Sequence, residues 1–132
     1  MNINDFVEKW NGKKVEYDGA YPNQCVDLTK RWQSDNKWPV MRGNAIQWSW
    51  PSHYGSSYTF VRNGLHNKPD PGDIVVFKSG LYGHIGVCVQ ADYLNLTCFE
   101  QNNPVGAPCR TVFHRYYGLG TSMPVLGWLK KK

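Results

Sequence analysis

Hydrophobic residues near the N-terminus recur at the spacing of a helix. A short first helix is predicted with three apolar residues on one side: Phe6, Val7 and Trp10. Asn4 and Asp5 can cap its start, and Gly12 can end it.

A second helix is predicted from about residue 23 or 24 to about residue 36. Its apolar face carries residues at helical spacing: Cys25, Leu28 and Trp32. Residues 44–50 predict one more short helix. The aromatic and polar stretch 47–60 is interrupted by Pro and Gly, and we interpret it as an ordered loop.

The second half of the chain changes to the alternating pattern of β-strands. Turn residues precede a β-branched run, and the later segments alternate between apolar and polar positions. The predicted strand segments are residues 69–78, 84–90, 96–102, 109–117 and 124–130. Helices followed by strands indicate an α+β fold, with N-terminal helices packed on a small antiparallel sheet.

Composition narrows the class of protein. With 132 residues, 41% of them hydrophobic, the chain can form one domain, 1–132, with a real core. No apolar run reaches the length of a membrane span, and the N-terminus lacks the pattern of a signal peptide, so we expect neither membrane insertion nor signal-directed export. A net charge of +5 favours an anionic partner, which leaves nucleic acid, a membrane surface and a bacterial wall open.

The four cysteines do not have the spacing of a zinc site. Cys88 and Cys98 lie in strand segments and are interpreted as buried packing residues. Cys25 lies where a turn becomes a helix, and a helix N-terminus favours the thiolate form of a cysteine. The alternative for Cys25 is ordinary burial of a small apolar side chain.

His84 begins a strand between two glycines, which leave room for another group to approach. If strands 84–90 and 96–102 turn around Asp92, His84 lies directly opposite Glu100, and Asn102 shares their face. The opposite face of this hairpin is apolar. A bulge would shift this register, and a structural His84 with a solvated Glu100 is the alternative.

The chain resembles the CHAP family, the cysteine- and histidine-dependent amidohydrolases and peptidases of cell-wall lysis. The matching motifs are NQCVDL at 23–28, PDPGDIVVF at 69–77, YGHIGVC at 82–88 and FEQN at 99–102. Their order and separations resemble those of phage endolysins, and the resemblance covers almost the whole chain.

The resemblance implies a papain-like fold in which Cys25 is the nucleophile and His84 its base. Glu100 would orient His84, Asn102 would assist, and the backbone N–H of Cys25 would hold the oxyanion with Gln24 as a candidate second donor. The implied substrate is a peptide or amide bond of bacterial peptidoglycan, cleaved by an endopeptidase or an N-acetylmuramoyl-L-alanine amidase. Such a lysin stays in the host cytoplasm until the membrane is breached and then acts on the wall.

Three aromatic residues are candidates to line the substrate groove: Trp48, Trp50 and Tyr54. The alternative is that they pack against an edge of the sheet. A non-hydrolytic wall-binding module and a basic module that stacks on single-stranded nucleic acid are the competing functions. Because no nucleic-acid motif is present, we expect no nucleic-acid partner, and we expect a monomer.

The chemistry requires no cofactor, but the residues around Cys25 predict a structural calcium site. Hard cations take several oxygen ligands from acidic, glycine-containing turns. Some CHAP lysins resemble this chain here, and the implied ligands are Glu16, Asp18, Ala20, Pro22 and Asp27. The alternative is that Asp27 serves the helix N-terminus and Glu16 is solvated.

Overall fold

The computed structural model describes residues 1–17, 24–116 and 123–132. Its helices are α1 (Ile3–Trp10), α2 (Cys25–Asp35), a 3₁₀ helix (Ala45–Ser49) and α3 (Pro51–Tyr54). Its strands are β1 (Tyr58–Arg62), β2 (Ile74–Phe77), β3 (His84–Ala91), β4 (Asn95–Glu100), β5 (Arg110–Arg115) and β6 (Val125–Lys131). The α+β prediction is confirmed.

The two N-terminal helices begin where polar side chains can satisfy free backbone N–H groups. In α1 the cap is Asn2, whose side chain accepts from the backbone N–H of Asp5 at 2.9 Å, so the prediction that Asn4 and Asp5 cap this helix is wrong. In α2 the carboxylate of Asp27 accepts from the backbone N–H of Gln24 at 3.1 Å, which makes Cys25 the first helical residue.

The six strands form one sheet in the order β1-β6-β2-β3-β4-β5, and every neighbouring pair is antiparallel. The prediction that 47–60 is a loop is wrong for most of that stretch. It contains part of the 3₁₀ helix, all of α3 and the start of β1. β1 is a strand because it pairs with β6, nearly seventy positions away, and local sequence does not report such a partner.

The predicted register of the β3–β4 hairpin is wrong by two residues. Val87 lies opposite Phe99 and Cys88 opposite Cys98, with an irregularity before Gln90. Side chains alternate with a period of two, so a slip of two residues leaves His84 and Glu100 on their predicted face. The slip therefore moves Glu100 from a position opposite His84 to one beside Gly86 without taking it off the face of His84.

Each face of the sheet has its own hydrophobic core. The helices pack on the face that carries Ile85, Val87 and Phe99, which is the face that the hairpin alternation predicted to be apolar. The other face buries Cys88 and Cys98 together with Phe77, and both cysteines are free thiols. In the described residues, no helix has both the length and the apolar character needed to cross a bilayer.

Candidate active site

Cys25 lies at the mouth of a cleft. It is half-buried at the first position of α2, where the positive end of the helix dipole favours an anion. The cleft has a volume of about 490 Å³. Its lining residues come from α2, from the start of the 3₁₀ helix and from the segment before β3: Gln24, Cys25, Val26, Asn44, Ala45, Tyr82 and Gly83.

The imidazole of His84 lies between a thiol and a carboxylate. Its Nε2 is 2.6 Å from Oε1 of Glu100. Because Nε2 is used by Glu100, Nδ1 is the ring nitrogen that remains for the thiol of Cys25. Burial lowers the pKa of His84, but interaction with the side chain of Cys25 and the hydrogen bond to Glu100 outweigh burial and raise it to about 9.

Glu100 is almost fully buried at the end of β4. Its carboxylate is contacted by Nε2 of His84, by Nδ2 of Asn103 at 3.0 Å and by Nε2 of His114. Burial raises the pKa of Glu100, and the hydrogen bonds from His114 and His84 more than reverse this and lower it. An ionised carboxylate can only accept hydrogen bonds, so both imidazoles must donate their Nε2–H to it.

Two of these partners, Asn103 and His114, were missed by the sequence reasoning. It placed Asn102 beside Glu100, but Asn102 has a φ of 64° and its side-chain oxygen accepts from the N–H of Gly106 at 2.7 Å. The positive φ ends the strand alternation, so Asn103 rather than Asn102 donates a hydrogen bond to the carboxylate of Glu100. His114 lies on the edge strand β5, but its side chain is buried.

The sequence also matches a known protein family over a segment that contains Cys25, His84 and Glu100. A family model described as CHAP domain matches residues 15–102, most of the chain. The chain belongs to the CHAP domain family. The resemblance seen in its motifs is therefore confirmed.

Similar proteins include phage lysins. Endolysin LysK of Staphylococcus phage K is 36% identical over 95 residues, which are 67% of this chain and 19% of LysK. The crystal structure of wild-type endolysin LysIME-EF1 matches with a TM-score of 0.75 at 25% identity, over 99% of this chain and 64% of that one. The structure of Ly7917 with the hydrolyzing product of MDP is similar in fold, with a TM-score of 0.66 at 15% identity, over 96% of this chain and 60% of the other. This CHAP domain thus spans about a fifth of LysK and less than two thirds of each solved chain.

Gln101, the residue after β4, connects the β3–β4 hairpin to the segments that precede Cys25. Its side chain is fully buried. Its amide nitrogen donates to the carbonyl oxygens of Val15 and Gln24, both at 2.8 Å, and its amide oxygen accepts from the N–H of Val15 at 2.6 Å and from the thiol of Cys109 at 3.3 Å. Gln101 thereby holds the backbone immediately before Cys25 against the end of β4. Sequence reasoning missed it because Val15 and Gln24 lie 86 and 77 residues away in the chain.

The two glycines around His84 leave room for other groups, as predicted. A Cβ on Gly83, whose φ is +76°, would lie 2.9 Å from the backbone nitrogen of Ile46. That nitrogen donates to the carbonyl oxygen of Tyr82 at 2.8 Å, which joins the two walls of the CHAP cleft. A Cβ on Gly86 would lie 2.7 Å from Cγ of Glu100.

The predicted groove aromatics do not line the described cleft. Trp48 is fully buried in the hydrophobic core, so the prediction that it lines the substrate groove is wrong. Tyr54 stacks on Phe60 with ring centroids 6.1 Å apart, which is the sheet-edge packing considered above. Trp50 is exposed and contacts the ring of His53, away from the cleft lining. Among the residues that the structure describes, the aromatic one in the lining is Tyr82.

The described residues do not form the predicted calcium site. Asp18, Ala20 and Pro22 lie outside the residues that the structure describes. Glu16 is exposed, and Asp27 is buried with one carboxylate oxygen on the N–H of Gln24. Within residues 1–17, 24–116 and 123–132, no three His, Cys, Asp or Glu side chains are placed to hold a metal ion. Calcium binding stays a prediction, and no chemical step below depends on it.

Proposed function

We propose that this CHAP domain is a cysteine-dependent peptidoglycan hydrolase with Cys25 as nucleophile, His84 as proton shuttle and Glu100 as the group that orients His84. The observation that carries the proposal is that His84 interacts with the side chain of Cys25, which lines an open cleft, and hydrogen-bonds the buried carboxylate of Glu100. A nucleophile, a base and an orienting group in contact are what amide hydrolysis without a metal requires.

The reaction begins with acyl transfer. At neutral pH the raised pKa of His84 favours an imidazolium, and the nucleophile in the proposed reaction is the thiolate form of Cys25. The thiolate sulfur attacks the carbonyl carbon of the scissile amide, and His84 gives its proton to the leaving nitrogen as the C–N bond breaks. The products of this step are a free amine and a thioester on Cys25.

Water completes the cycle. Neutral His84 takes a proton from a water molecule, whose oxygen attacks the thioester carbonyl, and the C–S bond breaks to release a carboxylic acid and restore the thiolate. Glu100 stays ionised and stabilises the imidazolium at both stages, because its pKa is lowered by the two histidines.

The oxyanion of each tetrahedral intermediate needs donors near Cys25. The first N–H groups of a helix have no intrahelical acceptor, so the backbone N–H of Cys25 is suited to this role. The side chain of Gln24, which lines the same cleft, is the candidate second donor. Asn103 replaces Asn102 as the proposed assistant, because it donates to the carboxylate of Glu100.

The proposed substrate is a peptide or amide bond of bacterial peptidoglycan. The support is the family and the likeness to LysK and LysIME-EF1, both described as endolysins. The net charge of +5 favours approach to anionic wall polymers. By the same likeness we propose that the protein reaches the wall from the host cytoplasm. That it works as a monomer stays a prediction from the sequence. The bond cleaved in the proposed reaction is one that an endopeptidase or an N-acetylmuramoyl-L-alanine amidase hydrolyses.

The test is lysis of purified bacterial walls by the wild type and by Cys25→Ala. We expect Cys25→Ala to abolish the loss of turbidity while circular dichroism stays unchanged. Cys88→Ala is the matched control, because Cys88 is buried and its pKa is raised to about 12, so its loss should lower stability and leave turnover intact. Mass spectrometry of the released fragments identifies the bond. Wild-type lysis by Cys25→Ala would refute the mechanism, and wall binding without fragments would support the non-hydrolytic alternative.

A further inference from the structure

Glu100 has a second imidazole that the proposed reaction does not use. His114 lies in β5, where its backbone pairs with Leu96, and its ring reaches the carboxylate of Glu100 at the end of β4. Its Nε2 contacts Oε2 of Glu100, whereas Nε2 of His84 contacts Oε1. The two oxygens of one buried carboxylate are therefore each occupied by a different histidine.

The surroundings of His114 are closed and apolar. The residue is 9% exposed, and its ring centroid lies 4.5 Å from that of Phe77, which also packs against the ring of His84 at 5.7 Å. A buried polar ring has to find a hydrogen-bond partner, and the partner here is the carboxylate beside His84. Packing alone would be served equally well by an apolar ring.

We propose, on the basis of the function proposed above, that His114 is a positioning residue that fixes the carboxylate of Glu100 against His84. The carboxylate plane can rotate freely about its terminal bond, because that torsion has no deep staggered wells. A donor on Oε2 fixes the rotation and leaves Oε1 directed at His84. Asn103 donates to Oε1 only, so it cannot replace this contact.

Loss of His114 would also leave Oε2 buried without its imidazole donor. An unpaired charge in an almost fully buried position is unfavourable, so Glu100 would either turn toward another donor or take up a proton. Both responses weaken the acceptor on which His84 depends. His114 therefore acts through Glu100 and His84 and does not itself contact the thiol or the substrate.

Two amide substitutions separate the hydrogen bond from the space that the ring fills. His114→Gln keeps a donor long enough to reach Glu100, whereas the shorter His114→Asn keeps the chemistry but falls short. Val112→Ala is the matched control, because Val112 lies two residues away on the same face of β5 and tests loss of packing alone. If His114→Asn does not fold, His114→Phe supplies a ring without a donor.

The measurements are kcat and KM on soluble peptidoglycan fragments, the rate of Cys25 alkylation by iodoacetamide against pH, and Tm. We expect His114→Asn to lower kcat roughly tenfold or more at unchanged KM and to shift the pH profile of alkylation, which loss of a charge-assisted hydrogen bond can produce. We expect His114→Gln to stay within about threefold of wild type, and Val112→Ala to change Tm alone.

Wild-type kcat and alkylation in His114→Asn or His114→Phe would overturn the inference, as would equal losses in the Gln and Asn variants. The alkylation arm needs no hydrolysis, so it reports on the thiol and imidazole pair whatever the substrate is. Failure of the proposed function would instead appear as equal lysis by wild type and Cys25→Ala.

Discussion

Replacing Gly86 by alanine tests how tightly the sheet confines Glu100. The new Cβ would lie 2.7 Å from Cγ of Glu100, 3.1 Å from the carbonyl oxygen of Phe99 and 3.2 Å from Cβ of Cys98. Gly86 lies in β3 with ordinary strand geometry, so alanine adds no backbone strain. The whole effect of Gly86→Ala should therefore come from these contacts.

The size of the effect follows from the distances. Cγ of Glu100 must move away by about 0.7 Å to reach an ordinary contact of 3.4 Å. The close contacts of the new Cβ with Phe99 and Cys98 prevent β3 from shifting as a whole to make room. Overpacking of this kind costs about 1–3 kcal/mol. For a domain of this size, that lowers Tm by roughly 4–12 °C.

The same displacement moves Oε1 away from Nε2 of His84, which now lies 2.6 Å from it. A weakened charge-assisted hydrogen bond of about 1.5–3 kcal/mol corresponds to a loss of kcat of roughly tenfold to a hundredfold. The assay is turbidity loss of purified walls, measured well below the Tm of the variant so that every molecule is folded.

Two other glycines supply controls. Gly64→Ala meets nothing closer than 3.5 Å and should change neither Tm nor turnover. Gly127→Ala would place its Cβ 2.3 Å from the carbonyl oxygen of Val61, so it should lower Tm through the β1–β6 pair and leave the turnover of folded molecules unchanged. Wild-type turnover in Gly86→Ala would refute the reasoning, because it would mean that Glu100 can move without consequence for His84.

Further predictions concern pH, the hydrogen bond from Gln101 to the backbone before Cys25, and calcium. Because the pKa of His84 is raised to about 9, turnover should fall on the alkaline side near pH 9, and a profile that falls near neutral pH would contradict the assignment. The same shift means that His84 stabilises the fold fully below its ordinary value of 6.5 and loses this contribution as the pH rises through about 9, so Tm should decrease over that window. Gln101→Leu removes the donor to the carbonyl oxygen of Gln24, and we expect slower alkylation of Cys25 together with lower turnover, while unchanged alkylation would exclude a role for this contact. If calcium binds before Cys25, adding it after EGTA treatment should raise both Tm and turnover in the wild type and neither in Asp18→Ala. Identical values in every arm would show that calcium has no role in this protein.

Local pattern was sufficient for the parts of the site that depend on nearby residues. A helix start can be recognised from its capping residues and apolar spacing, so Cys25 was placed correctly at the first turn of α2. His84 and Glu100 were placed on one face of a hairpin because strand alternation is strict, and that conclusion survived a register error of two residues.

The parts of the site that came only from tertiary structure depend on residues that meet across the sheet. His114 reaches Glu100 from another strand, although their backbones are not paired. Gln101 contacts Val15 across a separation of 86 residues. Asn103 reaches the carboxylate only because the chain turns at a positive φ.

The sequence by itself determined the class of fold, the family motifs and the faces of the site residues, because periodicity and capping act over a few residues. The tertiary structure alone decided which side chains surround the carboxylate of Glu100 and which aromatic residue lines the cleft. Those contacts follow from the strand order and register of the sheet, which depend on interactions along the whole chain and leave no signature at the single positions they bring together.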